Sequence, residues 1–306
     1  MLQYSHLPQL YFVIGIVLLV HGPLHAQELE PRSITNVPIG TNFAVLGYNY
    51  ARGSILFDPA LTLEDVTGST NTFVGAWVRA HNFFGMSAKS SVILPFVTGS
   101  WTGTYQGEAD ATDRTGMADL RLGFSFNFVG APALAKSDYA QYNQKTIVGF
   151  SMKMVVPTGQ YFDDRLINLG SNRWAFRPQL TASHRFGTWY LEYAFNTWFY
   201  TANPSFVDGY ELKQRPISTL KMDVVKSFKK GIWAAVGVGY AAGGRMVLND
   251  QELTSEISNI RFGAIVAVPL HPQHSLKFSA IFARRFEEGN EFNTYTLSYQ
   301  FLWNRK

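Results

Sequence analysis

Residues 293–303 read Asn-Thr-Tyr-Thr-Leu-Ser-Tyr-Gln-Phe-Leu-Trp, and their chemistry changes at almost every step. Tyr295, Leu297, Tyr299, Phe301 and Trp303 fall on one face of an extended chain; Thr294, Thr296, Ser298 and Gln300 fall on the other. Successive side chains of a strand point to opposite sides, so this is a two-faced strand. Its greasy face is mostly aromatic and its polar face carries no charge. A terminal strand of a soluble sandwich would favour aliphatic residues inside and charged residues outside. A tilted strand of about 9–11 residues crosses a bilayer, and rings at its end fall where an interfacial aromatic girdle forms.

Composition narrows the choice. Charged residues are 16% and aromatics 15%, against about 25% charged in ordinary soluble domains. Mean hydropathy is only −0.04, too polar for a bundle of membrane helices but suited to strands that are apolar on one face. Cysteine is absent, which excludes thiolate metal sites, cysteine nucleophiles and disulfides. The net charge of +4 is spread without a basic block, so nucleic acid is not an expected partner.

The longest apolar run is residues 10–20, Leu-Tyr-Phe-Val-Ile-Gly-Ile-Val-Leu-Leu-Val. It is short for a transmembrane helix and the right size for the core of a signal peptide. Ala26 before Gln27 offers a cleavage point, although the residues ahead of the run hold His6 in place of the usual Lys or Arg. The expected organisation is a signal peptide over 1–26, a periplasmic lead-in over 27–40 with Pro31 and Pro38, and a barrel over 41–306.

Alternation then predicts strands at 41–50, 71–83, 88–101, 116–128, 145–156, 173–186, 189–200, 216–228, 232–242, 257–268, 275–285 and 293–303. Pro95 sits uneasily in the third, because proline removes a ladder donor. The fourth is the clearest in the interior. Ala118, Leu120, Leu122, Phe124, Phe126 and Phe128 share one face; Asp119, Arg121, Gly123, Ser125 and Asn127 share the other. Periodicity alone does not say whether that polar face meets bulk solvent or an enclosed lumen. The connectors do. They alternate between long polar loops, such as 51–69, 102–115 and 243–256, and tight turns near Gly85, Gly187 and Gly231, with 129–144 the exception. That is the signature of an all-β, antiparallel, transmembrane up-and-down β-barrel of about twelve strands; a Greek-key sandwich does not alternate in this way. The final aromatic strand is also the expected signal to the barrel assembly machinery, with Asn304-Arg-Lys306 extending past it.

Several segments resemble a known family. Arg32-Ser-Ile-Thr-Asn-Val-Pro-Ile-Gly-Thr-Asn-Phe43 with Gly47-Tyr48, Asp119-Leu-Arg-Leu-Gly-Phe124 followed by Gly130-Ala-Pro132, Pro157-Thr-Gly159, and Asn168-Leu-Gly-Ser-Asn-Arg-Trp174 are similar to outer-membrane proteins of the meta-pathway phenol-degradation family. The likeness runs through nearly the whole mature chain. It implies an outer-membrane transporter of small hydrophobic or aromatic molecules, and no catalytic residues to carry over.

The residues themselves point away from catalysis. No HExxH, paired-histidine metal spacing or Gly-x-Ser-x-Gly is present. Ser183-His184 are adjacent on a strand, so they face opposite ways and form no nucleophile–base pair. Gly237, Gly239, Gly243 and Gly244 follow no βαβ unit and are read as small lumen-facing residues rather than a phosphate loop. The informative set is the charge on the inward faces: Asp119, Arg121, Arg177, Arg185, Glu192, Lys221, Asp223, Arg261, Lys277 and Arg285. These are expected either to knit a stiffening ion-pair network or to line a solute path, with the network the favoured reading. The function expected is passive passage of small molecules across the outer membrane, with lipid and solute as partners and no cofactor or metal. A lipid-modifying enzyme on a barrel and an adhesion barrel with partner-binding loops are the alternatives.

Overall fold

The computed structural model describes residues 30–56, 63–105, 108–165, 167–206, 209–253, 256–285 and 289–304. The stretch expected to be a signal peptide, 1–26, lies outside them. Thirteen long strands appear in chain order: β1 (Thr41–Leu56), β2 (Leu63–Phe83), β3 (Met86–Tyr105), β4 (Glu108–Met117), β5 (Leu120–Val129), β6 (Thr146–Val156), β7 (Ala175–Phe186), β8 (Trp189–Tyr200), β11 (Ile217–Ser227), β12 (Trp233–Gly243), β15 (Ile257–His271), β16 (His274–Arg285) and β17 (Gly289–Asn304). Four short ones, β9 (Asn203–Phe206), β10 (Tyr210–Gln214), β13 (Met246–Leu248) and β14 (Gln251–Glu252), form a separate small sheet. One helical turn, α1 (Lys136–Tyr139), lies between β5 and β6.

β4 and β5 both pair with β3 and act as one interrupted strand. Twelve antiparallel strands therefore close into a barrel, in chain order around the wall, with β1 hydrogen-bonded to β2 on one side and β17 on the other. Closure leaves no free edge, which is what allows strands to stand in lipid. The end that carries residues 41 and 304 is here the near end. The tight turns gather there: Phe84-Gly85, where both residues have positive φ, Gly187-Thr188 and Lys229–Gly231. Two left-handed residues in succession match the twist of a two-residue hairpin.

The alternation decides the faces. Leu46, Phe73, Leu94, Leu180, Phe195, Leu220, Val236, Phe262, Phe278 and Leu297 all stand exposed on the outside. An exposed apolar surface that girdles a closed barrel is a lipid-facing belt. Rings cluster at its near rim, including Phe128, Phe186, Trp189 and Phe228, and Lys226 lies over Trp189 with its ammonium 4.2 Å from the ring centre. Such a lysine keeps its stem in lipid and its charge at the interface.

Four predicted loops hold more strand than expected. Residues 51–56, 63–69, 102–105 and 108–115 continue as strand, and the 201–212 and 243–256 loops contain the small sheet. β2 and β3 reach 21 and 20 residues, far more than a membrane crossing needs, so their far ends stand clear of the bilayer as a ribbon with β4. Polar residues such as Thr67 and Thr102, or Thr98 and Thr115, bond side chain to side chain across this ribbon. Polar sequence obscured a strand whose two faces are both wet. The helical turn follows Ala135 and has no side-chain cap.

Pro95 is accommodated by a bulge. Phe96 pairs with Met117 and Ile93 with Arg121, so two residues of β3 face three of the opposing strand, at Ala118, Asp119 and Leu120. The Pro95 carbonyl accepts from Ala118 N–H. The proline's missing N–H would point to the same side, where the extra residue already breaks the ladder.

Candidate functional site in the lumen

Part of the lumen is filled. Toward the far end Val155, Ala175, Trp198, Ile217 and Ala241 pack together with Tyr200 and Ile257. Toward the near end Tyr190, Val225, Ala235 and Ile265 pack with Trp233 and Ile281. Between these apolar layers lies a charged one. Lys221 pairs with Asp223 at 3.0 Å, both nearly solvent-free. Arg177, Glu192 and Arg261 are buried beside them in the same sector of wall. The small inner face of β12 makes room: a Cβ on Gly237 would collide with Asp223 Oδ1. Gly239 sits between Lys221 and Arg261 in the register.

The near end is crossed by residues 30–40. The Arg32 N–H donates to Glu192 Oε2 at 2.7 Å, and Ser183 Oγ donates to Glu192 Oε1 at 2.9 Å. The Lys89 ammonium donates to the Ser33 and Thr35 carbonyls at 2.9 and 2.8 Å. Asn127 Nδ2 donates to the Ile34 carbonyl and Asn36 Nδ2 to the Pro132 carbonyl. Ile34 is buried against Ala131 and Ile147. Tyr139 donates to the Asn36 carbonyl from the 130–145 connector, and burial raises its phenol above the usual value. A segment without regular structure thus has its backbone groups met by lumen side chains, as a buried chain requires.

Between this segment and the wall of β1, β2 and β3 lies a cavity of about 850 Å³. Phe43, Val45, Val74, Ala76, Val78 and Ile93 form an apolar wall in it. Its other borders are polar, with Ser91, Ser125, Ser151, Gln179, Ser298 and Gln300. A cleft of this size with an apolar wall and polar groups placed around it is the usual form of a small-molecule site.

At the far end the bulge grips a loop. The Asp119 carboxylate accepts from the Gly159 N–H at 2.9 Å, the Ser171 N–H at 2.8 Å and the Ser171 hydroxyl. Gly159 and Gly170 lie so close that a Cβ on either would strike the other's backbone. Asn168 closes the loop on Phe162 and Arg165. Arg173 is buried, donates to Gln214 Oε1 at 2.6 Å and lies 4.5 Å over the Tyr200 ring. Burial draws its guanidinium down to about 10, still cationic at neutral pH.

The sequence-derived set therefore divides. Arg177, Glu192, Lys221, Asp223 and Arg261 come together in the charged layer. Lys277 lines the cavity. Asp119 is inward and buried, yet it serves the loop rather than its strand neighbour Arg121. Arg185 stays at the near rim, on the Gly187 carbonyl and Asn143. The side chain of Arg285 lies outside the described residues. Sequence reasoning missed Arg32, Lys89 and Lys153. For the two lysines a signal existed, since Lys89-Ser91 and Ser151-Lys153 share the polar faces of their strands. Arg32 carried none, because nothing in a lead-in sequence says that it turns into the lumen. Ser183 and His184 do separate: Ser183 bonds Glu192 inside, and His184 meets Thr146 on the outer face.

The chain is similar in fold to an outer membrane channel from Pseudomonas putida F1, with a TM-score of 0.77 and 18% identity over 90% of this chain and 100% of that one. It is also similar to the transport unit of the autotransporter AIDA-I from Escherichia coli (0.57, 8% identity, 98% of this chain and 99% of that one). The beta domain of the Bordetella autotransporter BrkA gives 0.50 at 10% identity, over 86% of this chain and 99% of that one. At these identities the likeness is one of fold. No curated protein matches the sequence. The sequence profile of the family described as "Putative MetA-pathway of phenol degradation" matches residues 53–301.

Proposed function

We propose a function from the premise that this chain belongs to that phenol-degradation family, whose profile spans most of the barrel. The protein is a β-barrel of the bacterial outer membrane, and it acts as a passive channel for small molecules with an aromatic or otherwise apolar body. The observation that carries this reading is the apolar wall of the lumen cavity. A conduit for sugars or ions has no use for Phe43, Val45, Val74, Val78 and Ile93 facing inward, whereas an apolar solute gains from leaving water against them. The charged layer and the layers on either side of it confine passage to the cavity side. The P. putida protein that shares the fold is itself an outer membrane channel, which supports the same reading. No chemistry is assigned to the lumen; a barrel enzyme would need a nucleophile and base on one face, and Ser183 and His184 are on two.

The test is initial uptake of a labelled neutral monoaromatic and of a labelled disaccharide by intact cells with and without the protein. Uptake of the aromatic should rise several-fold and that of the sugar should not. Equal aromatic uptake in both strains sinks the reading.

A further inference from the structure

The cavity carries more positive charge than a path for neutral arenes needs. Arg32, Lys89, Lys153, Arg177 and Lys277 reach it, against one acid among the described residues, Glu30. Glu30 is taken by Lys153 at 3.1 Å. Lys89 is held by two carbonyls of the crossing segment. The Arg32 guanidinium bonds Ser227 and lies over the Tyr190 and Trp233 rings. Lys277 differs from these. It projects into the lumen from β16, level with Ser298 of β17 and Ala267 of β15, and it is solvent-accessible there. Among the described residues no carboxylate forms an ion pair with it. On the opposite side of the apolar wall, Lys153 and Arg177 are direct cross-strand partners, in one row with Gly123, Ser91, Val78 and Phe43.

The site is therefore an apolar strip across β1, β2 and β3 with cations beyond both borders. A neutral arene leaves the Lys277 ammonium without a counter-charge beside an apolar wall; an anion carried on an apolar body satisfies wall and ammonium together. We propose that the solute is an amphiphilic anion, a carboxylate or sulfonate on a body the size of one aromatic ring, with Lys277 as its principal charge contact. This rests on the channel reading above and names the substrate class of that same cavity.

Permanently charged probes that do not cross lipid unaided test it. The full chain in liposomes is given benzenesulfonate, phenyltrimethylammonium or methanesulfonate, and entry is followed against concentration. Benzenesulfonate should enter about tenfold faster than phenyltrimethylammonium, and it should saturate, whereas methanesulfonate, lacking the ring, should not. Lys277→Gln should lower the anion-to-cation ratio several-fold and Lys277→Arg should preserve it, with both variants keeping the heat-modifiable mobility of a folded barrel. Equal entry of the two aromatic ions, or an unchanged ratio in Lys277→Gln, overturns the proposal while leaving a channel for neutral arenes standing. If no probe enters faster than into protein-free liposomes and neutral aromatic uptake by cells is also unchanged, both readings fall.

Discussion

Leu297 and Thr296 are neighbours in β17, one half exposed to lipid and the other turned toward Asn49 inside. Leu297→Arg should destabilise the barrel by about 2–4 kcal/mol, as charges near the midplane of a lipid face do. Thr296→Arg loses one hydrogen bond in a polar lumen and should cost distinctly less. Unfolding midpoints in urea with lipid vesicles measure the pair, and equal costs would contradict the face assignment. At this scale most of the molecule was legible in the sequence. Every aromatic of 295–303 and every apolar residue from Leu120 to Phe128 faces outward as its parity requires, because the period of a strand is two and lipid tolerates no exceptions. What parity leaves open is the partner. Asp119 and Arg121 share a face, yet the bulge moves Asp119 into reach of a loop whose backbone N–H groups satisfy it more completely than one guanidinium would.

Elements show where the sequence becomes opaque. The segments that carried the family resemblance, around Asp119, Pro157-Thr-Gly159 and Asn168–Arg173, are far apart in the chain and meet in one clasp. Their spacing says nothing of this, since the contact runs between a bulge and a loop. Asp119→Asn keeps one acceptor and loses the charge, so it should cost about 1.5–3 kcal/mol and leave 157–173 open to protease while the barrel stays folded. The small far-end sheet answers to pH instead. Arg215 and Arg245 hydrogen-bond Glu252 and hold its carboxyl below the ordinary 4.5. A depressed carboxylate favours the folded arrangement above its ordinary value and loses that contribution as pH falls through the lower folded one. Amide exchange in 210–214 and 246–252 should therefore quicken relative to the barrel strands as pH drops below 4.5, and a pH-independent ratio would refute the link.

For the molecule as a whole, alternating connector lengths were enough to give closure and strand count, because an up-and-down barrel has little topological freedom. The content of the lumen was not available in the same way. It depends on a stretch without periodicity, 30–40, finding Lys89, Asn127 and Glu192 on three separate strands. Glu192→Ala removes the acceptor of both the Arg32 N–H and Ser183. It should cost about 1–3 kcal/mol and raise single-channel current by releasing the crossing segment, whereas a stability loss with unchanged current would make Glu192 a purely structural part of the wall.

That crossing segment also sets an order of events. Its Arg32 reaches a carboxylate 160 residues further along the chain, and its other holds lie on β3, β5, β11 and the 130–145 connector. All of them must stand in a closed ring before the segment has anything to lie across. The first stretch of the described chain to leave the ribosome is accordingly the last to settle, and membrane insertion proceeds with the lumen still vacant. Trp233, which lies under Arg32, reports the moment: during refolding into vesicles its emission should change after the strand signal is complete, in a separate final phase.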